Sequence, residues 1–598
     1  MSAPSPIVPG AMLVSTAITV NGSPIDDAIQ VDSIDTWVAI NRIPRARLAI
    51  FDGSPSAADF PISNEKTFIP GSKVKIAAGY DGSYTTVFDG VVVRQGVSID
   101  QSNASKLIVD LAGNAIKMTL ERNNAVFPGK TDSAVIKQLI SDNGLTGDVG
   151  STSTTYEEIV QYYAADWDLM VMRAELNGMV AIADGDTVTV KKPDTSQSPV
   201  LRVAYGETVL DLDLQMDAAT QYSSSAIQSS SWEPDQQKVI EATPGSVTVT
   251  EAGNISSATL AGVFNVKKFP LVTGGALAQD ALQDWSAGEL LKSKLAKIRG
   301  TVRFQGSAKA QVGKMLEVDG AGNRFNGNFF ISGVRHRIAD GAWLTTAEVG
   351  LSSQWFVSEA PEITAPPAAG QLPAICGLQT GVVKAIATDP NGDFRVQISL
   401  PLLQSQTNVW ARLATFYASN GFGAFFYPEV NDEVIVGFMN DDPRYPVILG
   451  SVYGKAIAPA VTPAEANDTK QLLTRSKLVI NLDDKDKVIE IKTPGGQSVT
   501  LSDKATSIKL QDSNGNSVEL SSGGVTIDSA SSVKILAKAN VAISAGANLS
   551  MSAEADATLD GLQIQQTAKT KFAASGSLTS EVTSGGILTL QGTLVKIN

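Results

Sequence analysis

The sequence predicts a mainly β chain with some α, divided into unlike regions and ending in a repetitive β array. Three observations predict it. Runs rich in β-branched and aromatic residues recur through the first two regions, with few helical stretches between them. Two Pro- and Ala-rich stretches without periodicity, SEAPEITAPPAAGQLPAI and KAIAPAVTPAEANDTK, read as linkers. Beyond the second, short apolar-x-apolar pairs keep a fixed register. The division is 1–357, a linker at 358–373, 374–454, a second linker at 455–470, and 471–598. A chain of 598 residues has room for several domains with sizeable cores.

In the first region KVKIAAGY, TTVFDGVVV, KLIVDLAG, TVTVKK and GNFFISGVRHRI carry the residue types of strands. Between them TDSAVIKQLISDNGL reads as a helix. Thr131 or Asp132 caps it, Val135, Ile136, Leu139 and Ile140 share a face, and Asn143-Gly144 stops it. DWDLMVMRAELNG places Trp167, Met170, Val171 and Ala174 on one face and also ends in Asn-Gly. A longer helix at about 276–298 carries Leu277, Ala281, Trp285, Leu291 and Leu295. Strand–helix alternation is absent, so barrels with packed helices are expected and a doubly wound sheet is not.

The middle region holds five strand candidates, GVVKAIA, DFRVQISLP, VWARLATFY, DEVIVGF and YPVILGSVY. Five short strands joined by Gly, Asp and Pro turns suit a small Greek-key barrel of the OB type.

The third region has one aromatic residue, Phe572. Its apolar pairs run from Ile489/Ile491, Val499/Leu501, Ile508/Leu510 and Val518/Leu520 to Val525/Ile527, Val533/Ile535, Val541/Ile543, Leu549/Met551 and Ala557/Leu559. From Val525 the step is eight residues, four times in succession. Alternation makes each unit a strand with one buried face, and the fixed step makes the array a solenoid. A lone unit buries too little to offset its ordering entropy. Eight residues suit one side of a three-sided prism, wound by one chain or by three intertwined chains. The spacing does not separate these, but three chains pair every strand edge and a thin prism excludes aromatics, which favours the trimer. A disordered tail would share the Ser/Ala/Gly content but not the register.

Composition narrows the chemistry. With 47 basic against 61 acidic residues the net charge is −14, which argues against a nucleic-acid partner. Cys376 is the only cysteine, so no internal disulfide forms. The N-terminus lacks a basic, uninterrupted apolar leader and no run of about 18 apolar residues exists, so folding in the cytoplasm without a signal peptide is expected. His336, the only histidine, excludes a Cys/His zinc site and reads as a packed histidine rather than a base. No HExxH, GxxxxGK[ST] or GxSxG occurs, and no cofactor or catalytic residue is expected. Glu429, Asp432, Glu433, Asp441 and Asp442 invite comparison with a glycosidase pair, yet they fall at strand entries and in Asn-Asp and Asp-Asp-Pro turns.

The stretch Pro428-Glu429-Val430-Asn431-Asp432-Glu433-Val434-Ile435-Val436-Gly437-Phe438, followed by Asn440-Asp441-Asp442-Pro443-Arg444-Tyr445-Pro446 and Gly450-Ser451-Val452-Tyr453-Gly454, is similar to the pattern "P..GDEV.V.F..GDP..P...G..YN" of a gp5-like OB domain. Asn stands for the usual Gly at 431 and 440, where it tolerates the same left-handed backbone, and Gly454 stands for the final Asn. Tyr163-Ala164-Ala165-Asp166-Trp167-Asp168-Leu169 through Arg173-Ala174-Glu175-Leu176-Asn177-Gly178 resembles a helix of the gp27-like region, and Phe88-Asp89-Gly90-Val91-Val92 and Val334-Arg335-His336 its strand motifs. In this order the parts resemble the VgrG family of type VI secretion spikes and the related spikes of extracellular contractile injection systems and phage tails.

The resemblance implies a fold of gp27-like β-barrels with helices, an OB-fold barrel and a trimeric β-helical needle. It implies a homotrimer with two base barrels per chain, forming a pseudo-sixfold ring for a hexameric inner tube protein. Further implied partners are baseplate proteins, a PAAR-like tip protein, effectors, and the target membrane on injection. The protein would leave the cell inside the injection particle. The implied OB-motif residues are Glu429, Asp432, Glu433, Asp442, Pro443, Pro446 and Gly450. The needle core is Val525, Ile527, Val533, Ile535, Val541, Ile543, Leu549 and Met551, and the tip end Lys596, Ile597 and Asn598. A lysozyme domain, a C-terminal effector and a His-x-His iron tip are not expected. Two other functions compete: a tail fibre or adhesin, which would expose aromatics along its shaft, and an envelope-degrading hydrolase, which would cluster carboxylates on the β-helix face.

Overall fold

The computed structural model of the chain describes residues 3–7, 13–102, 104–360, 362–404 and 407–597. These form two compact units, Met1–Val452 and Tyr453–Asn598.

The first unit is built on a 13-stranded sheet. Alternation decides which face each strand buries. In Lys73–Tyr80, Val74, Ile76 and Ala78 point inward while Lys73 and Lys75 face water. One core gathers Ile34, Leu48, Ile50, Phe68, Ile76, Leu107 and Leu111. A second gathers Leu201, Val203, Val302, Phe304, Leu316 and Ile331. The strands expected as two barrels are therefore joined in one sheet around two cores. The joint is Gly327–Ala339, 13 residues long. It pairs with Met315–Asp319 at its start, then with Val31–Ala39 on one side and Ala342–Val349 on the other. Phe329, Ile331 and Val334 enter the second core and Ile338 the first.

The predicted helices form with their predicted faces inward. Asp132–Asp142 is capped by Thr131, whose hydroxyl accepts from the Ala134 amide at 3.3 Å, and it buries Val135, Ile136, Leu139 and Ile140. Asp166–Leu176 buries Trp167, Met170, Val171 and Ala174, and Gly178 follows it at φ +66°. The third helix is shorter than expected, Gln279–Leu295, because the chain turns straight into the strand Ile298–Gln305. Leu277 precedes it and Trp285 is only half-buried.

The second and third helices meet through glycine. A Cβ on Gly288 would stand 2.9 Å from the Glu175 carbonyl oxygen and 3.6 Å from the Gly178 Cα. One turn further, Lys292 Nζ donates to Glu175 Oε1 at 2.6 Å with both side chains nearly buried, and Glu175 Oε2 accepts from the Phe356 amide at 2.7 Å.

In residues 379–451 five strands close a small barrel: Gln379–Ala385, Val396–Ser399, Val409–Leu413, Glu433–Phe438 and Pro446–Ser451. Val383, Val396, Ile398, Ala411, Val434, Val436 and Ile448 fill it. Two strands are shorter than their sequence runs suggested. The run at 393–401 is strand only over Val396–Ser399, and beyond Leu413 the chain leaves the barrel in an aromatic hairpin.

The second unit is a seven-stranded antiparallel meander from Thr469–Leu473 to Gly524–Asp528. Each strand pairs with its sequence neighbours, so the expected solenoid does not form within the chain. Among the described residues, 529–597 contain no strand. The octads there, expected as strands, have no paired edge, and two small aliphatics per unit do not offset the ordering cost alone.

Two stability changes follow from the first unit. Glu175→Ala would leave the Lys292 ammonium buried and unpaired; unfolding in denaturant should show a loss of about 3–5 kcal/mol. His336 sits inside the shared strand region, 4% exposed, and its Nδ1 accepts from Trp343 Nε1 at 3.3 Å and lies 2.9 Å from Thr345 Oγ1. Burial pushes its pKa down from 6.5 to about 4. The folded ring stays neutral while the unfolded one takes a proton near 6.5, so this contribution is full above pH 6.5 and is lost as pH falls through about 4, to a total of ~3 kcal/mol. Melting of the wild type against His336→Gln across that range should show a shallower pH slope in the variant.

Candidate functional site

The acidic motif of the small barrel is a pair of turns. In the first, Asp432 Oδ2 accepts from the Glu429 amide at 2.8 Å while the Asp432 amide donates to the Glu429 carbonyl at 3.0 Å. Asn431 supplies φ +76° between them. Its amide donates to Val383 O at 2.9 Å, and the Val383 amide donates to Asp432 O at 3.0 Å, which ties the turn to the barrel wall. Glu433 opens the next strand opposite Val382.

In the second turn Asn440 and Asp441 have φ +53° and +55°. Asp442 Oδ1 accepts from the Arg444 amide at 2.9 Å, and its Oδ2 accepts from Arg444 Nη2 at 2.7 Å. The Arg444 hydrogen bond holds the Asp442 carboxyl below the usual range. Arg444 Nη2 also reaches Gln371 Oε1 at 2.9 Å, and the Ile375 amide donates to Asp441 O at 2.9 Å, so the turn secures the segment entering the barrel. Pro443 lies in the turn, Pro446 begins the closing strand opposite Phe438, and Gly450 sits opposite Ile435 beside a bulge. These are positions of backbone need, and the Asp432 and Asp442 carboxylates are spent on turn hydrogen bonds.

Sequence reasoning missed a charged cleft of about 640 Å³ in the first unit. Its walls include the Glu175–Lys292 pair, Trp37 donating to Glu348 Oε1 at 3.0 Å, and Arg42 paired with Glu359 at 3.2 Å. Nothing in the spacing of these residues, up to 317 positions apart, signals the convergence. The Asp166–Leu176 helix is the partial exception. Its motif residues Asp166, Arg173, Glu175 and Asn177 all take part in buried polar contacts, Arg173 with Asp132 at 2.5 Å and Asn177 with Asp132 at 2.8 Å. Cys376 is exposed, and no cluster of three or more His, Cys, Asp or Glu able to hold a metal occurs among the described residues. Nor is any helix there long and apolar enough to cross a membrane.

The needle residues divide. Val525 and Ile527 lie on Gly524–Asp528, while Val533, Ile535, Val541, Ile543, Leu549 and Met551 lie outside strands and are exposed. Lys596 and Ile597 are exposed too, and Asn598 falls outside the described residues. In the meander the apolar pairs align across strands into two columns. One runs Leu482, Ile489, Leu501, Ile508, Leu520, Val525; the other Ile480, Ile491, Val499, Leu510, Val518, Ile527. Between them, pointing to the opposite face, runs Asn481, Glu490, Thr500, Lys509, Glu519, Thr526. No residue of this unit belongs to a core cluster among the described residues.

Three families match the chain in succession: the Alg8 N-terminal domain over residues 10–340, the type VI secretion system/phage-baseplate injector OB domain over 379–453, and the phage baseplate V C-terminal trimerisation domain over 488–554. Relatives include the type VI secretion system spike protein VgrG4b of Pseudomonas aeruginosa, 33% identical over 130 residues, which are 20% of this chain and 15% of that one. VgrG1b of the same organism is 29% identical over 196 residues, 30% of this chain and 26% of that one. The chain thus spans about a sixth to a quarter of the length of these relatives. Among solved structures, a tail protein from Neisseria meningitidis is 14% identical with TM-score 0.41, covering 59% of this chain and 99% of its own. The E. coli c3393 protein, a component of the type VI secretion system similar to the T4 tail proteins gp27 and gp5, is 13% identical with TM-score 0.35, covering 73% and 99%. With more than half of its 598 residues matched by the first of these families, the chain belongs to the Alg8 N-terminal domain family, and the injector OB and trimerisation domains that follow in order make it similar to the VgrG spike proteins.

Proposed function

We propose that the protein is the central spike of a contractile injection system, a homotrimer that links the inner tube to a membrane-puncturing tip. The observation that carries this reading is the C-terminal unit, whose two aliphatic columns lie on one face with most of their side chains exposed. Three such sheets facing one axis bury those columns against one another, and the trimerisation domain matched over 488–554 takes in the last five of the seven strands and the first octads beyond them. The octads beyond Asp528 then gain partners from neighbouring chains.

In this reading residues 1–357 are the tube-docking base, 374–454 the OB-fold collar and 471–598 the needle, with 358–373 and 455–470 as linkers. The trimer presents six base lobes, two per chain, to a hexameric inner tube protein, and contacts baseplate proteins around it. The tip end, Lys596 to Asn598, receives a PAAR-like tip protein, effectors travel with the assembly, and the particle carries it out of the cell into the target membrane. The role is mechanical and non-enzymatic. Supporting this, Asp432 and Asp442 serve as turn acceptors and His336 is buried.

Light scattering of the purified chain should give the mass of a trimer, with a C-terminal region resistant to protease; a monodisperse monomer would overturn the reading. Leu510→Asp or Val541→Asp should place three carboxylates near one axis, each desolvated and repelling the others. Limited proteolysis should then show the needle digested while residues 1–357 stay folded, and unchanged resistance would refute the intertwined arrangement.

A further inference from the structure

The outward face of the 13-stranded sheet carries two rows of charge. Residues directly opposite on paired strands share a face, and the registers line up Arg337, Asp35, Arg47, Asp110 and Arg94. Two residues along the same strands runs a second row: Asp211, Arg303, Thr346, Arg335, Trp37 and Arg45. The residues that alternate with them, such as Ala46, Val302, His336 and Ile338, are buried, so both rows point away from the cores. The rows hold six of the chain's sixteen arginines and no lysine. Six arginines against three aspartates make this face electropositive in a chain of net charge −14.

The aspartates hold four of the arginines in place. Asp110 pairs with Arg47 at 2.7 Å and Arg94 at 2.8 Å, Asp35 with Arg335 at 2.9 Å, and Asp211 with Arg303 at 2.7 Å. Those four side chains are still 44% to 73% exposed. Exposed pairs of this kind contribute little to stability, but they fix the direction of each guanidinium before a partner arrives. Arg45 and Arg337 are exposed and have no ion-pair partner among the described residues. Trp37 stands on the strand between theirs, 36% exposed, its ring held by the hydrogen bond to Glu348 and placed at the wall of the charged cleft. A held tryptophan among arginines has the composition of an interface centre.

Charge selects the occupant. A guanidinium fork matches a carboxylate with two parallel hydrogen bonds. A run of phosphates, in a nucleic acid or at a lipid surface, would also meet Asp35, Asp110 and Asp211, whereas a protein surface can set a carboxylate against each free arginine and a donor against each aspartate. The rows cross Gly327–Ala339, the strand shared by the two cores, so the face occurs once per chain and differs from the lobe-by-lobe contact proposed for the inner tube. We infer that the face around Arg45, Trp37 and Arg337 docks an acidic surface of another protein, whose carboxylates meet the two free arginines and whose apolar centre covers Trp37. The contact needs no trimer.

The test titrates fluorescein-labelled poly-L-glutamate with the full chain and follows anisotropy. Binding that weakens as salt rises is expected. Arg45→Glu with Arg337→Glu should weaken it at least about tenfold at an unchanged melting temperature. Arg45→Gln with Arg337→Gln, which adds no like charge beside Asp35, should weaken it several-fold. Arg412→Glu, exposed on the small barrel, should leave it as in the wild type. A glutamate–tyrosine copolymer should bind more tightly than poly-L-glutamate, and Trp37→Ala should remove that advantage. No binding, binding that the paired arginine variants leave unchanged, or tighter binding of a single-stranded oligonucleotide or of phosphatidylglycerol vesicles would overturn the proposal. A wild-type trimer that dissociates in the paired glutamate variant, seen by light scattering, would assign the face to contacts between copies and overturn it too. A wild-type monomer that still binds poly-L-glutamate through these arginines would overturn the spike reading and leave this docking face standing.

Discussion

Two columns of aliphatic side chains cross the C-terminal meander on one face, and most of them are exposed. A sheet in water is stable when at least one face is buried, and the proposed trimer supplies that burial from other copies of the chain. The same constraint explains its composition. In the proposed trimer, residues that share an axis with two symmetry mates are small and aliphatic, and Phe572 is the one aromatic in 471–598. It also explains why residues 529–597, with two aliphatics per octad, contain no strand in a single chain while the preceding segment, which pairs by hairpins, does.

The first unit solves its burial internally and by a different route. Its 13-stranded sheet wraps two cores because one long strand, Gly327–Ala339, contributes side chains to both. The helices add a third core around Trp167, Met170 and Ile136. Where the second and third helices cross, glycine brings the backbones close enough that Glu175 and Lys292 neutralise each other out of water. A buried pair of this kind contributes little net stability over an apolar one, but it penalises every arrangement that separates its members. It therefore acts as a register pin between elements over a hundred residues apart.

The acidic motif in the barrel shows how turn chemistry imitates an active site. Five carboxylates within fourteen residues look like a catalytic cluster, but a catalytic carboxylate needs room for a substrate, and here Asp432 and Asp442 accept from amides and a guanidinium in their own turns. Asn431 and Asn440 at positive φ show that what the positions demand is a left-handed backbone, which Asn supplies as Gly would.

What the sequence determined by itself was local. Alternation marked the strands, Thr131 and the two Asn-Gly pairs bounded helices, and the Val/Ile runs of 379–451 filled a barrel, because each of these rests on contacts a few residues apart or on a simple period. The repeating aliphatic pairs were also plain, though not their pairing within the chain. Tertiary structure alone decided the rest: that two expected barrels share one sheet, that the apolar pairs stack across an antiparallel meander, that Glu175 meets Lys292, and that Phe416 and Phe425 stay on the surface. The reason is physical. A period fixes which face of an element is apolar, but which surface comes to lie against that face depends on long-range packing, and a phenylalanine reads the same in sequence whether it fills a barrel or stands outside it.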